Sequence, residues 1–117
     1  MMPRFVVLRH DSPRGLHWDL MLETGAALAT WALAEEPQRG KTCLADALAE
    51  HRLAYLEHEG PIGRGRGQVT RWDRGVYTTE EQRPRALSLT VAGKKLQGRV
   101  TLSQSAGEPA SWQFRWE

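Results

Sequence analysis

The chain has 117 residues, 40% of them hydrophobic and five of them tryptophan, which is enough for one modest core and predicts a single domain over residues 1–117. Its one cysteine, Cys43, excludes an internal disulfide and a thiolate-rich zinc site, so any metal must take nitrogen and oxygen ligands. The net charge is only +2, but residues 1–60 carry six basic against nine acidic side chains and residues 61–117 carry ten against five. The second half could therefore face phosphates, or it could spread arginines over a solvated β surface.

No apolar run approaches the ~20 residues that would cross a bilayer as a helix, and the start of the chain passes directly into a strand-like run without the layout of a signal peptide. The expected location is the cytoplasm, with no membrane partner. Phe5 to Leu8 opens the predicted elements as a strand, and Asp11-Ser12-Pro13-Arg14-Gly15 reads as a turn. Leu16 to Glu23 alternates strictly. Trp18, Leu20 and Leu22 fall on one strand face, and His17, Asp19, Met21 and Glu23 on the other.

Thr24-Gly25 predicts a turn before a strand from Ala27 to Leu33, and Pro37 to Gly40 a loop. Lys41 to Glu50 is rich in Ala and Leu, with Leu44, Ala47, Leu48 and His51 at helical spacing, so one short helix is expected there. Further strands are predicted around Leu53 to Glu57, Gln68 to Trp72, Ala86 to Val91, Gln97 to Leu102 and Trp112 to Trp116. Turn residues separate them: the glycine-rich run Gly60 to Gly67, then Asp73-Arg74-Gly75, Ala92-Gly93-Lys94 and Ala106 to Pro109. Many short strands in so short a chain predict a mainly β protein, a small closed or nearly closed β-barrel with that one helix.

His10 stands at the end of the first strand, and His17 and Asp19 at the start of its hairpin partner, so the three can meet on one face. Two imidazoles and a carboxylate suit Mn²⁺, Zn²⁺ or Fe²⁺ and leave positions open for water and substrate. By spacing alone the pattern is a weak signal, and a solvated hairpin is the commoner reading. The run Gly63-Arg64-Gly65-Arg66-Gly67 lacks the trailing Lys-Ser/Thr of a nucleotide P-loop and reads as a turn-rich loop that could touch DNA. The tryptophans read as core packing, with Trp116 as the candidate exception, and His58 as exposed.

The stretch FVVLRHDSPRGLHWDLMLETGAALATWAL resembles the 3′-phosphoesterase domain family of bacterial DNA ligase D, in which a strand ends in His and the next reads His-aromatic-Asp, then Leu-Glu and Trp-Ala. EHRLAYLEHEGPI, GQVTRWDRGVY, LTVAGKKLQGRVTL and SWQF continue the resemblance in order. The resemblance implies a β-barrel enzyme that uses Mn²⁺, with Zn²⁺ as an alternative, to trim a 3′-terminal phosphate or ribonucleoside and leave a 3′-hydroxyl. Carried over residue by residue, it implies His10, His17 and Asp19 as metal ligands, His51 at the scissile phosphate and Tyr55 beside it. It also implies DNA or RNA-tipped DNA 3′ ends as partners, with a repair ligase or polymerase acting in trans.

This chain departs from the family pattern at Met21, where the family has an arginine that grips phosphate. Methionine has no charge and no donor. Glu35 and Glu36 stand where a basic residue is usual, and Cys43 where arginine is usual. Arg14, Lys41, Arg64 and Arg66 are the candidate replacements, with Arg14 preferred and Arg64 and Arg66 next. Two functions follow: a metal-dependent phosphoesterase acting on 3′ ends, or a catalytically impaired DNA-end or phosphate-binding module of the same fold. A purely structural barrel whose histidines bind no metal is the third.

Overall fold

Residues 2–117 are described by a computed structural model. Arg4–Ser12 (β1) and Gly15–Thr24 (β2) form the predicted hairpin, followed by Ala27–Leu33 (β3) and Thr42–Arg52 (β4). A two-residue strand, Gly60–Pro61 (β5), precedes the long Gln68–Arg83 (β6), and Ala86–Gly93 (β7), Gln97–Gln104 (β8) and Ser111–Trp116 (β9) complete the sheet. Neighbours pair antiparallel in the order β1-β2-β3-β4-β9-β8-β7-β6-β5, and β1 also pairs with β6. Eight strands thereby close into a ring, with β5 appended to β6. The mainly β architecture read from the sequence is the one observed.

Period-two alternation sorts the side chains into two clusters. Phe5 and Val7, Leu20 and Leu22, Trp31 and Leu33, Leu89 and Val91, Val100 and Leu102, and Phe114 point into the main core, to which every ring strand contributes. On the opposite face Val6, Leu8, Met21, Leu28 and Val69 form a smaller cluster with Leu56 from the segment between β4 and β6. That second cluster floors the site described below.

The predicted helix over 41–50 is a strand. Cys43 and Ala45 are buried in the main core and Ala47 packs against it, while Leu44 (59% exposed) and Leu48 (42%) face outward. The helical propensity of an Ala/Leu run amounts to a few tenths of a kcal/mol per residue, and pairing with both β3 and β9 outweighs it. His51 consequently ends a strand rather than a helix. The strand expected over 53–57 is instead a single 3₁₀ turn, Leu53–Leu56.

Asp73-Arg74-Gly75 is not a turn either; it lies within β6. Gly75 pairs with Gly93 of β7, and a Cβ on Gly75 would run into the Ala92 carbonyl, so this glycine serves close strand approach rather than chain reversal. The buried Asp73 carboxylate reaches across to the β7–β8 turn and accepts the backbone N–H groups of Lys94, Lys95 and Leu96 at 3.0, 2.9 and 2.8 Å. The WDRG signature thus holds a hairpin in place. Trp116 is buried: its indole donates to the Gln97 carbonyl and Arg39 stacks over the ring, so it is no stacking platform for bases.

Candidate metal centre

Strand register builds the site. His10 pairs directly with His17 and Leu8 with Asp19, so His10, His17 and Asp19 share the face that carries Val6, Leu8 and Met21. One donor atom from each of the three lies within 4.8 Å of the other two. His10 Nδ1 is 3.0 Å from Asp19 Oδ2, and His17 Nε2 is 3.1 Å from Asp19 Oδ1. The three side chains read onto one strand face do meet there.

The protonation pattern favours a cation. His10 Nε2 lies 2.9 Å from the Arg66 carbonyl, and a carbonyl only accepts, so Nε2 carries the proton. A neutral His10 then turns the Nδ1 lone pair toward a carboxylate oxygen. Two electron-rich atoms face each other, an arrangement relieved by a second proton or by a metal ion. Asp19 is 3% exposed, and its Oδ1, although close to His17, has no hydrogen-bond partner. A buried carboxylate oxygen without a partner is costly unless a cation completes it. The contact with Asp19 also holds the His17 pKa above the ordinary histidine value, against the opposing effect of burial. The donor set fits a divalent transition ion, and the Arg66 carbonyl acts as the outer contact that orients such ligands.

Approach of the glycine-rich loop depends on Gly67. Its backbone has φ +93°, and a Cβ there would collide with the Asp11 carbonyl, so only glycine lets the loop close on the end of β1 and present Arg66 to His10. Beside the triad a cavity of about 50 Å³ is lined by His10, Asp19, Met21, His51, Tyr55 and Arg66, among others. His51 donates from Nδ1 to the Ala49 carbonyl at 2.9 Å, which leaves Nε2 as its other functional nitrogen. Tyr55 meets it edge-on with ring centroids 5.4 Å apart.

The structure therefore gathers His10, His51, Tyr55 and Arg66 around Asp19. Arg14 lies on the exposed β1–β2 turn and Arg64 on the loop at φ +64°, and neither lines this cavity. Met21 is 1% exposed, its chain packed among Val6, Leu8 and Val69 while it lines the cavity. Burial pushes the Cys43 thiol pKa up, away from thiolate chemistry.

A family model described as the DNA Ligase D 3′-phosphoesterase domain matches residues 8–104. The chain belongs to that family. This member of the 3′-phosphoesterase family is 34% identical over 93% of its length to the "Multifunctional non-homologous end joining protein LigD" of Pseudomonas aeruginosa, and 32% identical over 90% to the protein of the same description from Mycolicibacterium smegmatis. A Mycobacterium tuberculosis relative, the "Multifunctional non-homologous end joining DNA repair protein LigD", is 29% identical over 89%. The chain spans only 14%, 16% and 15% of those three relatives. The family match includes the hairpin, the β4 end and the glycine-rich loop, that is, every element of the site.

Two side chains near the site were missed in the sequence. Arg52 and His58 line a second cavity that Tyr55, Ile62 and Arg66 share with the first. His58 is half-buried rather than exposed, with Nε2 donating to the Pro61 carbonyl at 3.1 Å. The available signal was adjacency: Arg52 follows His51 directly, at the end of β4, where the chain bends into the 3₁₀ turn.

Proposed function

We propose that this domain is a metal-dependent phosphoesterase acting on the 3′ ends of DNA or RNA-tipped DNA. One observation carries the reading: a buried, incompletely partnered carboxylate clusters with two histidines, and it lines, together with one of them, a cavity that also holds His51 and an arginine. His10, His17 and Asp19 would hold the ion, Mn²⁺ in preference to Zn²⁺. When bound, such an ion supplies Lewis acidity toward a phosphoryl oxygen. His51, whose Nδ1 proton is held by the Ala49 carbonyl, would in its imidazolium form donate from Nε2 to the departing 3′-oxygen while water adds to phosphorus and gives up its proton to solvent, and the P–O3′ bond breaks. Tyr55 orients His51 and can hydrogen-bond a phosphate oxygen. Arg66, at the cavity, replaces the family's arginine more directly than the other candidates Arg14 and Arg64, because it already lines the cavity. The same reading gives a cytoplasmic protein that prepares ends for a ligase or polymerase.

Met21 supports a second reading. A thioether stands where a phosphate grip is expected, which suits a DNA-end or phosphate-binding module that has lost turnover. Release of phosphate from a 3′-phosphorylated primer–template by the Mn²⁺-loaded protein decides between them. Phosphate release that is abolished by chelation supports catalysis; tight binding of the same end without release leaves the binding module.

A further inference from the structure

The second cavity has a volume of about 280 Å³ and abuts the metal cavity along Tyr55, Ile62 and Arg66. We propose that it holds the nucleoside attached to the phosphate bound at the metal cavity, so that the protein recognises a nucleoside 3′-phosphate as one unit. The inference rests on the phosphoesterase-site reading above and adds a subsite to it.

Size, continuity and chemistry carry it. The volume lies just below the ~300 Å³ at which small-ligand pockets begin, so one nucleoside is a fitting occupant and a duplex is not. Tyr55 lines both cavities, its ring 5.4 Å from that of His51 and 5.7 Å from that of His58, so a group joined to a phosphate beside His51 can continue past it into the larger cavity. Ile62 and the Tyr55 ring offer apolar surface to a base, and Arg52 and Arg66 offer guanidinium planes, which stack on bases as readily as they pair with phosphate.

The charge of this cavity is positive because the acids nearby are engaged elsewhere. Glu57 lies 3.8 Å from Arg71 and 3.4 Å from Arg74, and Glu59 lies 3.8 Å from Arg71 and also accepts its backbone N–H. These pairs tie the 52–67 segment down onto β6. Among the described residues the cavity lining holds no carboxylate; its charged side chains are Arg52 and Arg66, with His58 and Tyr55 beside them.

The test is calorimetric titration of the Mn²⁺-loaded full chain with adenosine 3′-monophosphate and, separately, with inorganic phosphate. The nucleotide is expected to bind about tenfold or more tightly, the scale of one base stacked on protein surface. Arg52→Ala and, as a second variant, His58→Ala should each shrink that ratio, lowering nucleotide affinity more than phosphate affinity. Equal affinity for the two ligands, a ratio that neither variant changes, or no binding of either ligand overturns the proposal. Phosphate release from the nucleotide is recorded in parallel. A nucleoside-dependent ratio without release supports the subsite while removing the catalytic reading, and release without the ratio does the reverse.

Discussion

His10 and His17 are directly opposed across the β1–β2 ladder, their ring centroids 4.5 Å apart and tilted by 58°. Cross-strand neighbours on one face stand ~4.5–5.5 Å apart at Cβ, so a hairpin can bring together two ligands seven positions apart in the chain. Both rings then reach the carboxylate of Asp19, two residues along the same face as His17.

Asp19 is accordingly the ligand whose loss should matter most. Asp19→Asn keeps the shape but removes the charge, and Mn²⁺ affinity measured by titration should fall by more than about a hundredfold, since even outer-contact losses cost ~10–100-fold. Undiminished Mn²⁺ binding would remove Asp19 from the site.

Met21→Arg tests the missing phosphate grip. Met21 packs its stem in the smaller cluster yet lines the cavity, so an arginine there can bury its methylenes and put its head group into the cavity. A charge-assisted contact is worth ~1.5–3 kcal/mol, about one to two orders of magnitude in rate. 3′-Phosphatase activity should rise by that order while the melting temperature falls. A folded, Mn²⁺-loaded variant with no gain favours the binding module.

Arg66 and Arg14 should separate. Arg66→Ala is expected to weaken phosphate binding about 10–100-fold, and Arg14→Ala to do less, because Arg66 lines the cavity and Arg14 sits on the exposed hairpin turn. Phosphate titrations of the two variants give the comparison, and a larger effect for Arg14 would reverse the assignment.

Asp73→Ala should destabilise without touching the metal. Three backbone N–H groups lose one carboxylate acceptor; only that of Leu96 is buried, those of the exposed Lys94 and Lys95 can turn to water, and at ~1–3 kcal/mol for a buried donor left unpaired the loss is about 1–3 kcal/mol. Denaturant unfolding should show that loss, with Mn²⁺ affinity unchanged under native conditions. A change in metal affinity at full folding would mean that Asp73 acts on the site.

Acid stability should carry the signature of Glu23. Its hydrogen bonds from Arg4 lower its pKa to about 2, from an ordinary 4.5. A carboxylate with a depressed folded-state pKa contributes stability above pH 4.5 that is lost as the pH falls toward 2. Glu23→Gln should flatten that part of the stability–pH curve slightly, and salt should shrink the difference, because the pair is largely solvated. An identical slope for the two proteins would refute the contribution.

The shared face of His10, His17 and Asp19 was legible in the chain because strand alternation is a local property, whereas their reading as metal ligands came from the family resemblance and not from spacing. Once His17 and Asp19 are two apart in a strand and His10 ends its hairpin partner, their shared face follows from the pleat. The long run of strands was legible for the same reason. The segment from 41 to 57 was not: Ala and Leu favour a helix locally, and only the ring, which needs a strand between β3 and β9, turns Thr42–Arg52 into β4. Asp73-Arg74-Gly75 was misread likewise, since a glycine admitting a neighbouring strand and a glycine reversing the chain look alike in one dimension. The surroundings of the triad belong to tertiary structure alone. Arg66 meets His10 across 56 positions, and Arg52 and His58 meet Arg66 around a cavity that has no local pattern. Contacts between residues so far apart depend on how the glycine-rich loop folds back over β1, and no periodicity of the chain encodes that.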